Sequence, residues 1–399
     1  MKTSVIGLGY VGLPTAAVLS DSGHDVLGVD INKAVVSSVN EGKIHIFEPN
    51  LEEMVNKSVV NGKLRASMVP EKSDNYLIVV PTPLDDSNAP DLSFINQVVY
   101  SISPYLQEEC LIILESTSPI GTTVKVLEKI RAYRPDLFDV DTPKFFVAYC
   151  PERVLPGNVI KELIFNDRIV GGINERSTQR AIEFYNTFVK GRVFATNSKT
   201  AELAKLVENS YRDLNIAFAN ELSMICDEID VDVWELISLA NRHPRVNILS
   251  PGAGVGGHCI AVDPWFIVSD FPEQSRIIKT AREVNNLKPE WAVKKALNQL
   301  PNEGVVACFG MSYKQDIDDT RESPSIRIAD YLVNFLGKDR VSICDPYLDS
   351  LQGHELDTIE EALNKADLVV FCVAHEQFKK IDKKMLENKK ILDLCGVLK

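Results

Sequence analysis

The sequence predicts an α/β protein of two Rossmann-like doubly wound domains joined by a central helical domain, with boundaries at 1–196, 197–300 and 301–399. Three observations lead there. Short apolar runs alternate with helix-length segments over the first 190 residues, the pattern of a largely parallel sheet covered on both faces. The last hundred residues return to the same alternation, and between the two lies a helix-rich stretch with little strand character.

Taken in order, strands are expected near residues 3–8, 26–30, 76–80, 111–115 and 145–149. A polar seam, Thr196 to Thr200, closes the first block, and helices follow over about 201–240 and 274–300. A Gly/Pro-rich loop, Ser250 to Pro264, separates them, and Pro301-Asn302-Glu303-Gly304 punctuates the return to strands. The closing segment echoes the opening one. VVACFG (305–310) matches TSVIGLG (3–9) in pattern, VSICDP (341–346) matches VLGVDI (26–31), DLVVFCVAH (367–375) matches DNYLIVVPT (74–82), and KKILDLCG (389–396) matches CLIILEST (110–117). A duplicated nucleotide-type unit and chance similarity of apolar strands are the two explanations.

Composition narrows the function. Of 399 residues, 45% are hydrophobic and 25% charged, so there is apolar material for two or three cores. Forty-three basic against 56 acidic residues leave a net charge of -13, a field that repels nucleic acid and anionic membrane but permits a local phosphate pocket. No apolar stretch approaches a membrane span, and the chain enters an apolar strand at Ser4 to Leu8 without a signal-peptide layout. Eight cysteines show no CxxC spacing and most sit in apolar runs, which reads as buried thiols in a reducing compartment. The six histidines form no ligand series, so no metal site is expected.

Gly7-Leu8-Gly9-Tyr10-Val11-Gly12 follows a strand and opens a helix. In that context Gly7 permits the tight turn, Gly9 a close backbone approach to pyrophosphate, and Gly12 close helix–strand packing, with the helix amino terminus facing the anion. Asp30, eighteen residues after Gly12 at the next strand end, accepts from a ribose 2′-hydroxyl and repels a 2′-phosphate, favouring NAD over NADP. Thr82 and Ser116-Thr117 end later strands; their hydroxyls either donate to the cofactor or serve as ordinary turn and cap residues.

The second concentration of chemistry is GAGVGGHCIAVD (252–263). Four glycines before Cys259 allow a larger molecule to approach the backbone and expose N–H groups for an oxyanion. A Cys259 thiolate there suits attack on a carbonyl carbon, the alternative being a small buried hydrophobe. Asp263 shares its face if the chain turns helical, and adjacent His258 points away, making a dyad between neighbours unattractive. Lys205, Asn209 and Arg212 fall at i, i+4 and i+7 on one helix, a stripe of donors for a sugar oxygen, oxyanion or carboxylate, or else a solvated charged face. Asn241-Arg242-His243-Pro244-Arg245 adds donors for a nucleotide diphosphate or a subunit contact. Glu152, in PERV after a strand end, is a candidate acid/base. Lys314 and Arg321 flank an acidic turn and either close over phosphate or form surface ion pairs.

Together these segments resemble the UDP-glucose and GDP-mannose dehydrogenases, the nucleotide-sugar 6-dehydrogenases. The resemblance is carried by GLGYVG (7–12), ESTSPIGT (115–122), YCPERVLPG (149–157), KLVENSYRDLNIAFANE (205–221), GVGGHCIAVDP (254–264) and GMSYKQDIDDTRESP (310–324), five of them in order beyond the first. The last of these segments departs slightly, Tyr313 standing where phenylalanine is usual. The resemblance implies a cytoplasmic homodimer with an amino-terminal NAD domain and a carboxyl-terminal UDP domain, and Arg245 reaching into the neighbouring site. It implies Cys259 as nucleophile and Lys205 as acid/base and oxyanion partner, supported by Asn209, Asp263 and Glu152. Tyr10, Val11, Asp30, Thr82 and Thr117 are the implied cofactor contacts beside Gly7, Gly9 and Gly12. Arg153, Val154, Lys205, Asn209, Arg212, His243, Arg245, Gly256, Lys314 and Arg321 are the implied substrate contacts.

Residues 241–266 are most similar to the branch that oxidises UDP-N-acetyl-D-mannosamine for surface polysaccharides, with UDP-GlcNAc, UDP-glucose and GDP-mannose as alternative substrates. The expected reaction is a four-electron oxidation at C6 that reduces two NAD through a thiohemiacetal and then a thioester on Cys259. A single-step hydroxyacid dehydrogenase and an NAD-responsive scaffold are the rival readings, and neither needs the cysteine.

Overall fold

A computed structural model describes residues 1–399 except Pro156 and His258, so the reading of His258 lies outside the described residues. The chain divides into two compact units, Met1–Val207 and Glu208–Lys399.

In the first unit the elements run β1 (Lys2–Ile6), α1 (Gly12–Asp21), β2 (Asp25–Val29), α2 (Lys33–Asn40), α3 (Leu51–Val60), β3 (Leu64–Ser67), β4 (Asn75–Ile78), α4 (Ser93–Ile102), β5 (Leu111–Leu114) and α5 (Thr122–Tyr133). A two-strand ribbon, β6 (Phe138–Asp139) and β7 (Thr142–Pro143), precedes β8 (Phe146–Tyr149), α6 (Val159–Phe165), β9 (Arg168–Gly172), α7 (Glu175–Tyr185) and β10 (Val193–Asn197). Eight strands form one sheet in the order β10-β9-β8-β5-β4-β1-β2-β3. All neighbours are parallel except β8 and β9. Alternation along the central strands splits the core: Val5, Leu77 and Ile113 face one helical layer, Ile6, Ile78 and Ile112 the other.

The second unit holds most of α8 (Ser198–Glu228), then α9 (Val233–Ala240), α10 (Asp263–Asp270) and α11 (Arg276–Gln299). There follow β11 (Val306–Phe309), α12 (Pro324–Leu336), β12 (Val341–Cys344), α13 (Ile359–Lys365), β13 (Leu368–Phe371) and β14 (Lys390–Asp393). Its sheet is parallel, ordered β12-β11-β13-β14. The buried pair Asp213–Arg282, 2.6 Å apart, joins α8 to α11.

The expected strands are present, and the duplication extends to individual hydrogen bonds. Gly7 N donates to Val29 O at 2.8 Å and Gly310 N to Cys344 O at 2.8 Å. Asp30 Oδ2 accepts from Leu8 N at 2.9 Å, as Asp345 Oδ2 does from Met311 N at 2.6 Å. Both glycines have positive φ, +96° and +91°, which the same sharp turn requires. Strands β3, β9 and β10 carry no continuous apolar run: β10 is partly or fully exposed throughout and β9 opens on arginine. The polar seam at 196–200 is the end of β10 and the first turn of α8, and the helix α10 begins inside the Gly/Pro-rich stretch, at Asp263-Pro264.

Candidate functional site

In the first unit, the glycine turn connects β1 to α1. A Cβ on Gly7 would lie 2.2 Å from Val79 O, and one on Gly12 would lie 1.8 Å from Gly7 O, so neither position accepts a side chain. A Cβ on Gly9 would meet nothing within 4 Å. This open face beside a helix amino terminus fits a pyrophosphate, and the residues present therefore suit a dinucleotide. Tyr10 is exposed and Val11 caps α1. Asp30 accepts from Leu8 N at 2.9 Å and from Asn32 N at 2.8 Å, one bond on each oxygen, which leaves lone pairs for ribose hydroxyls. Thr82 is buried and donates to Thr117 O at 2.6 Å. Its hydroxyl proton is thus committed to the protein, and toward a cofactor Thr82 offers only acceptor capacity. Thr117 is half-buried beside it.

Glu152 follows β8. Burial pushes its pKa up, while the positive charges of Lys205 and Arg168 oppose that shift. Beneath it lies a group that sequence reasoning missed. Tyr185 Oη donates to Glu115 Oε1 at 2.6 Å, the Arg168 guanidinium stands over the Tyr185 ring at 5.2 Å, and Arg168 Nη1 reaches Cys150 Sγ at 4.0 Å. Burial also raises the pKa of Glu115. An acid closing the apolar run LIIL was a usable signal for Glu115; nothing in the local sequence marks Arg168 or Tyr185. Two further glutamates act as anchors. Glu48 accepts from Gly157 N at 2.8 Å and Val159 N at 2.7 Å, holding the loop that carries half-buried Arg153 and Val154. Glu202 accepts from Gly121 N at 2.6 Å and Thr123 N at 2.8 Å, tying the start of α5 to α8 one turn before half-buried Lys205.

In the second unit Cys259 is exposed. Asp263 N donates to Cys259 O at 2.8 Å, so the chain does turn helical here, and Asp263 opens α10 while almost wholly buried. Its Oδ2 accepts from Asn209 Nδ2 at 2.5 Å, placing these two candidates in contact. Two of the glycines, Gly256 and Gly257, face the chain itself where a ligand was expected. Gly257 N donates to Arg321 O at 3.0 Å, and a Cβ on Gly256 would lie 2.6 Å from Glu322 O and 2.8 Å from Tyr313 Cβ. The close approach they permit is that of the chain's own 313–324 segment. This docks the cysteine loop on the segment bearing Lys314 and Arg321. Burial, then the charge of Asp319, raises the Tyr313 phenol pKa against the opposing charge of Arg321, and Cys259 adds a smaller push in the same direction.

Arg321 makes the surface ion pair named as its alternative: Nη2 lies 2.6 Å from Asp319 Oδ2. Lys314, Arg212, His243 and Arg245 are exposed, with Arg245 N donating to His243 Nδ1 at 3.3 Å. Each unit therefore gathers part of the candidate set: Glu152 and Lys205 in the first, Cys259, Asp263, Asn209, Tyr313, Gly256 and Arg321 in the second.

Comparison with known proteins agrees across the chain. Models of the UDP-glucose/GDP-mannose dehydrogenase family match in three parts: the NAD binding domain over residues 1–189, the central domain over 199–287 and the UDP binding domain over 307–399. An NDP-N-acetyl-D-galactosaminuronic acid dehydrogenase of Ralstonia nicotianae is 51% identical, covering 99% of this chain and 95% of its own. The UDP-N-acetyl-D-mannosamine dehydrogenase of Escherichia coli is 47% identical over 99% of this chain and 98% of its own. The solved structure of UDP-D-ManNAc dehydrogenase from Pyrococcus horikoshii is 37% identical with a TM-score of 0.90, covering 100% of this chain and 96% of that one.

Proposed function

Because this chain belongs to the UDP-glucose/GDP-mannose dehydrogenase family, and is an NAD-dependent nucleotide-sugar dehydrogenase, we propose that its substrate is UDP-N-acetyl-D-mannosamine, oxidised at C6 to the uronate. The observation that carries the four-electron reading is exposed Cys259, one helical turn before an Asp263 bonded to Asn209, on a loop docked against the Tyr313–Arg321 segment. The E. coli and P. horikoshii relatives support the sugar. The Ralstonia relative favours a second reading, an N-acetyl sugar of galacto configuration. The functional domains are proposed at 1–196, 197–300 and 301–399.

NAD, when bound, supplies the hydride acceptor for each of the two oxidations. Gly7, Gly9, Val11 and Gly12 shape the turn that receives the pyrophosphate, and Asp30 takes the ribose. Lys205 accepts the proton of the C6 hydroxyl as the hydride leaves C6, and Lys205 and Asn209 then donate hydrogen bonds to the aldehyde oxygen. Cys259 Sγ adds to the aldehyde carbon, forming a C–S bond as the carbonyl π bond breaks, and the thiol proton passes to the former aldehyde oxygen through Lys205 to give the thiohemiacetal hydroxyl. Loss of the second hydride from C6 converts that adduct to a thioester. Water then attacks the acyl carbon, Glu152 accepts its proton, the C–S bond breaks and the Cys259 thiolate departs. Asp263 fixes the Asn209 amide. Arg153, Val154, Arg212, His243, Gly256, Lys314 and Arg321 hold the nucleotide sugar.

The reading extends to a homodimer acting in the cytoplasm, with Arg245 completing the neighbouring site. Exposed Phe218, Ile225 and Leu239 on α8 and α9 support an apolar contact with a second copy, and the buried thiols fit a reducing compartment. Light scattering should return twice the 44.4 kDa chain mass; a monomer would overturn the shared site. The test of the reaction is an end-point assay with limiting UDP-N-acetylmannosamine and excess NAD. About two NADH per sugar with a uronate product is expected from the two hydride transfers. A ratio of one removes the thioester pathway. No NADH with this sugar, but turnover of the galacto-configured one, selects the second reading.

A further inference from the structure

His375, an imidazole that no step above uses, is fully buried just after β13 and touches both ends of the loop that carries Lys314. Resting on the reading of Lys314 as a UDP contact, we propose that His375 is a positioning residue that holds the 311–316 loop in its nucleotide-binding shape.

The loop leaves β11 through Gly310 and is tied at its start by Asp345, whose Oδ2 accepts from Met311 N at 2.6 Å and Ser312 N at 3.1 Å. His375 Nε2 lies 3.2 Å from the same oxygen. At the far end, Asp316 N donates to His375 Nδ1 at 2.8 Å, and Asp316 Oδ1 accepts from Glu376 N at 2.9 Å. Because Nδ1 accepts, the ring proton sits on Nε2 and faces Asp345, an assignment made from the bonding pattern. One neutral ring therefore spans the loop's two anchors. Between them Ser312 Oγ donates to Lys314 O at 2.8 Å and stands 3.3 Å from Nε2, so the lysine's own backbone is part of the network.

The surroundings leave the ring no freedom. It packs against Tyr347 at a tilt of 36° with centroids 4.9 Å apart and makes an edge-to-face contact with Phe378 at 5.2 Å. Asp316 has φ +60°, a left-handed conformation that costs free energy in a non-glycine residue and persists only when neighbours enforce it. The two bonds exchanged with residues 375 and 376 are what enforce it. The pattern also separates the two repeats. In the matching strands, His375 occupies the place of Thr82, so where the first repeat bonds one strand-end loop to another, the second braces its own phosphate-side turn.

The test is UDP binding by calorimetry on the full chain, with kcat and KM for the nucleotide sugar. His375→Asn keeps an acceptor at the Nδ1 position for Asp316 N, whereas His375→Gln keeps only a donor toward Asp345. His375→Gln should weaken UDP binding roughly tenfold and raise KM equally, with kcat and NAD affinity within about twofold, the size of one unmade buried hydrogen bond. His375→Asn should stay within about threefold of the parent. Equal loss in both variants, or loss of kcat alone, would overturn the positioning role. Lys314→Ala tests the underlying reading separately: unchanged UDP affinity there sinks the assignment of the loop to UDP, while a loss there with no effect of His375→Gln sinks this proposal alone.

Discussion

Replacing Cys259 with serine is expected to abolish uronate formation, by roughly a thousandfold or more, while NAD binding stays at the parent value. The hydroxyl is a far weaker nucleophile than a thiolate at neutral pH, and an adduct through oxygen would not pass to an acyl-enzyme with comparable ease. Cys259 is exposed and its backbone bond to Asp263 N does not depend on the side chain, so the fold loses little, within about 0.5 kcal/mol. Quantifying the uronate product and titrating NAD on the same protein checks both halves. Uronate at the parent rate would remove the cysteine from the mechanism, and weakened NAD binding would mean that the loop matters for something other than the nucleophile.

Glu152→Gln is the second large effect. The substitution preserves size and removes the proton acceptor for water, so kcat should fall by about two to four orders of magnitude. The block falls after both oxidations, which gives it a signature: a burst of two NADH per active site and a sugar adduct on Cys259 visible by intact mass. A slow variant with no adduct would place Glu152 in an earlier step. The pH profile follows from the environment. Burial raises the Glu152 pKa, with Lys205 and Arg168 opposing, so the carboxylate proposed as the base is lost as pH falls through a value above the ordinary glutamate range. Activity of the parent enzyme should therefore fall on the acid side earlier than an exposed carboxylate would allow, and Glu152→Gln should lack that limb.

The parts of the site that were legible in the sequence are those whose chemistry is local. The turn at 7–12 is dictated by backbone sterics, since a Cβ at Gly7 or Gly12 would meet carbonyl oxygens at 2.2 and 1.8 Å. Asp30 is legible because the length of a strand–helix–strand unit sets its distance from the glycines. The contact between Cys259 and Asp263 follows from one helical turn, and the stripe Lys205, Asn209, Arg212 from α-helical geometry. The repeat was visible as apolar alternation because a parallel sheet buried on both faces needs it.

Other features depended on chain segments far apart in sequence, and these only the tertiary structure decided. Glu115, Arg168 and Tyr185 come from three different elements, and their cluster beneath Glu152 exists because the β5–β8–β9 strand order brings them together. The glycines before Cys259 read as room for a ligand, yet the 313–324 segment fills the space at Gly256, a partner more than fifty residues away. Thr82 read as a donor, but the carbonyl that takes its proton lies on another strand end. The imidazole of His375 was an ordinary residue in an apolar run until Asp316 and Asp345 were seen on either side of it. Sequence alone determined the family and the local shape of segments whose neighbours lie within a turn or a strand, because backbone geometry propagates over that range. Which distant groups share a buried space was decided by packing, since only there do desolvation and hydrogen-bond satisfaction act between residues the chain keeps apart.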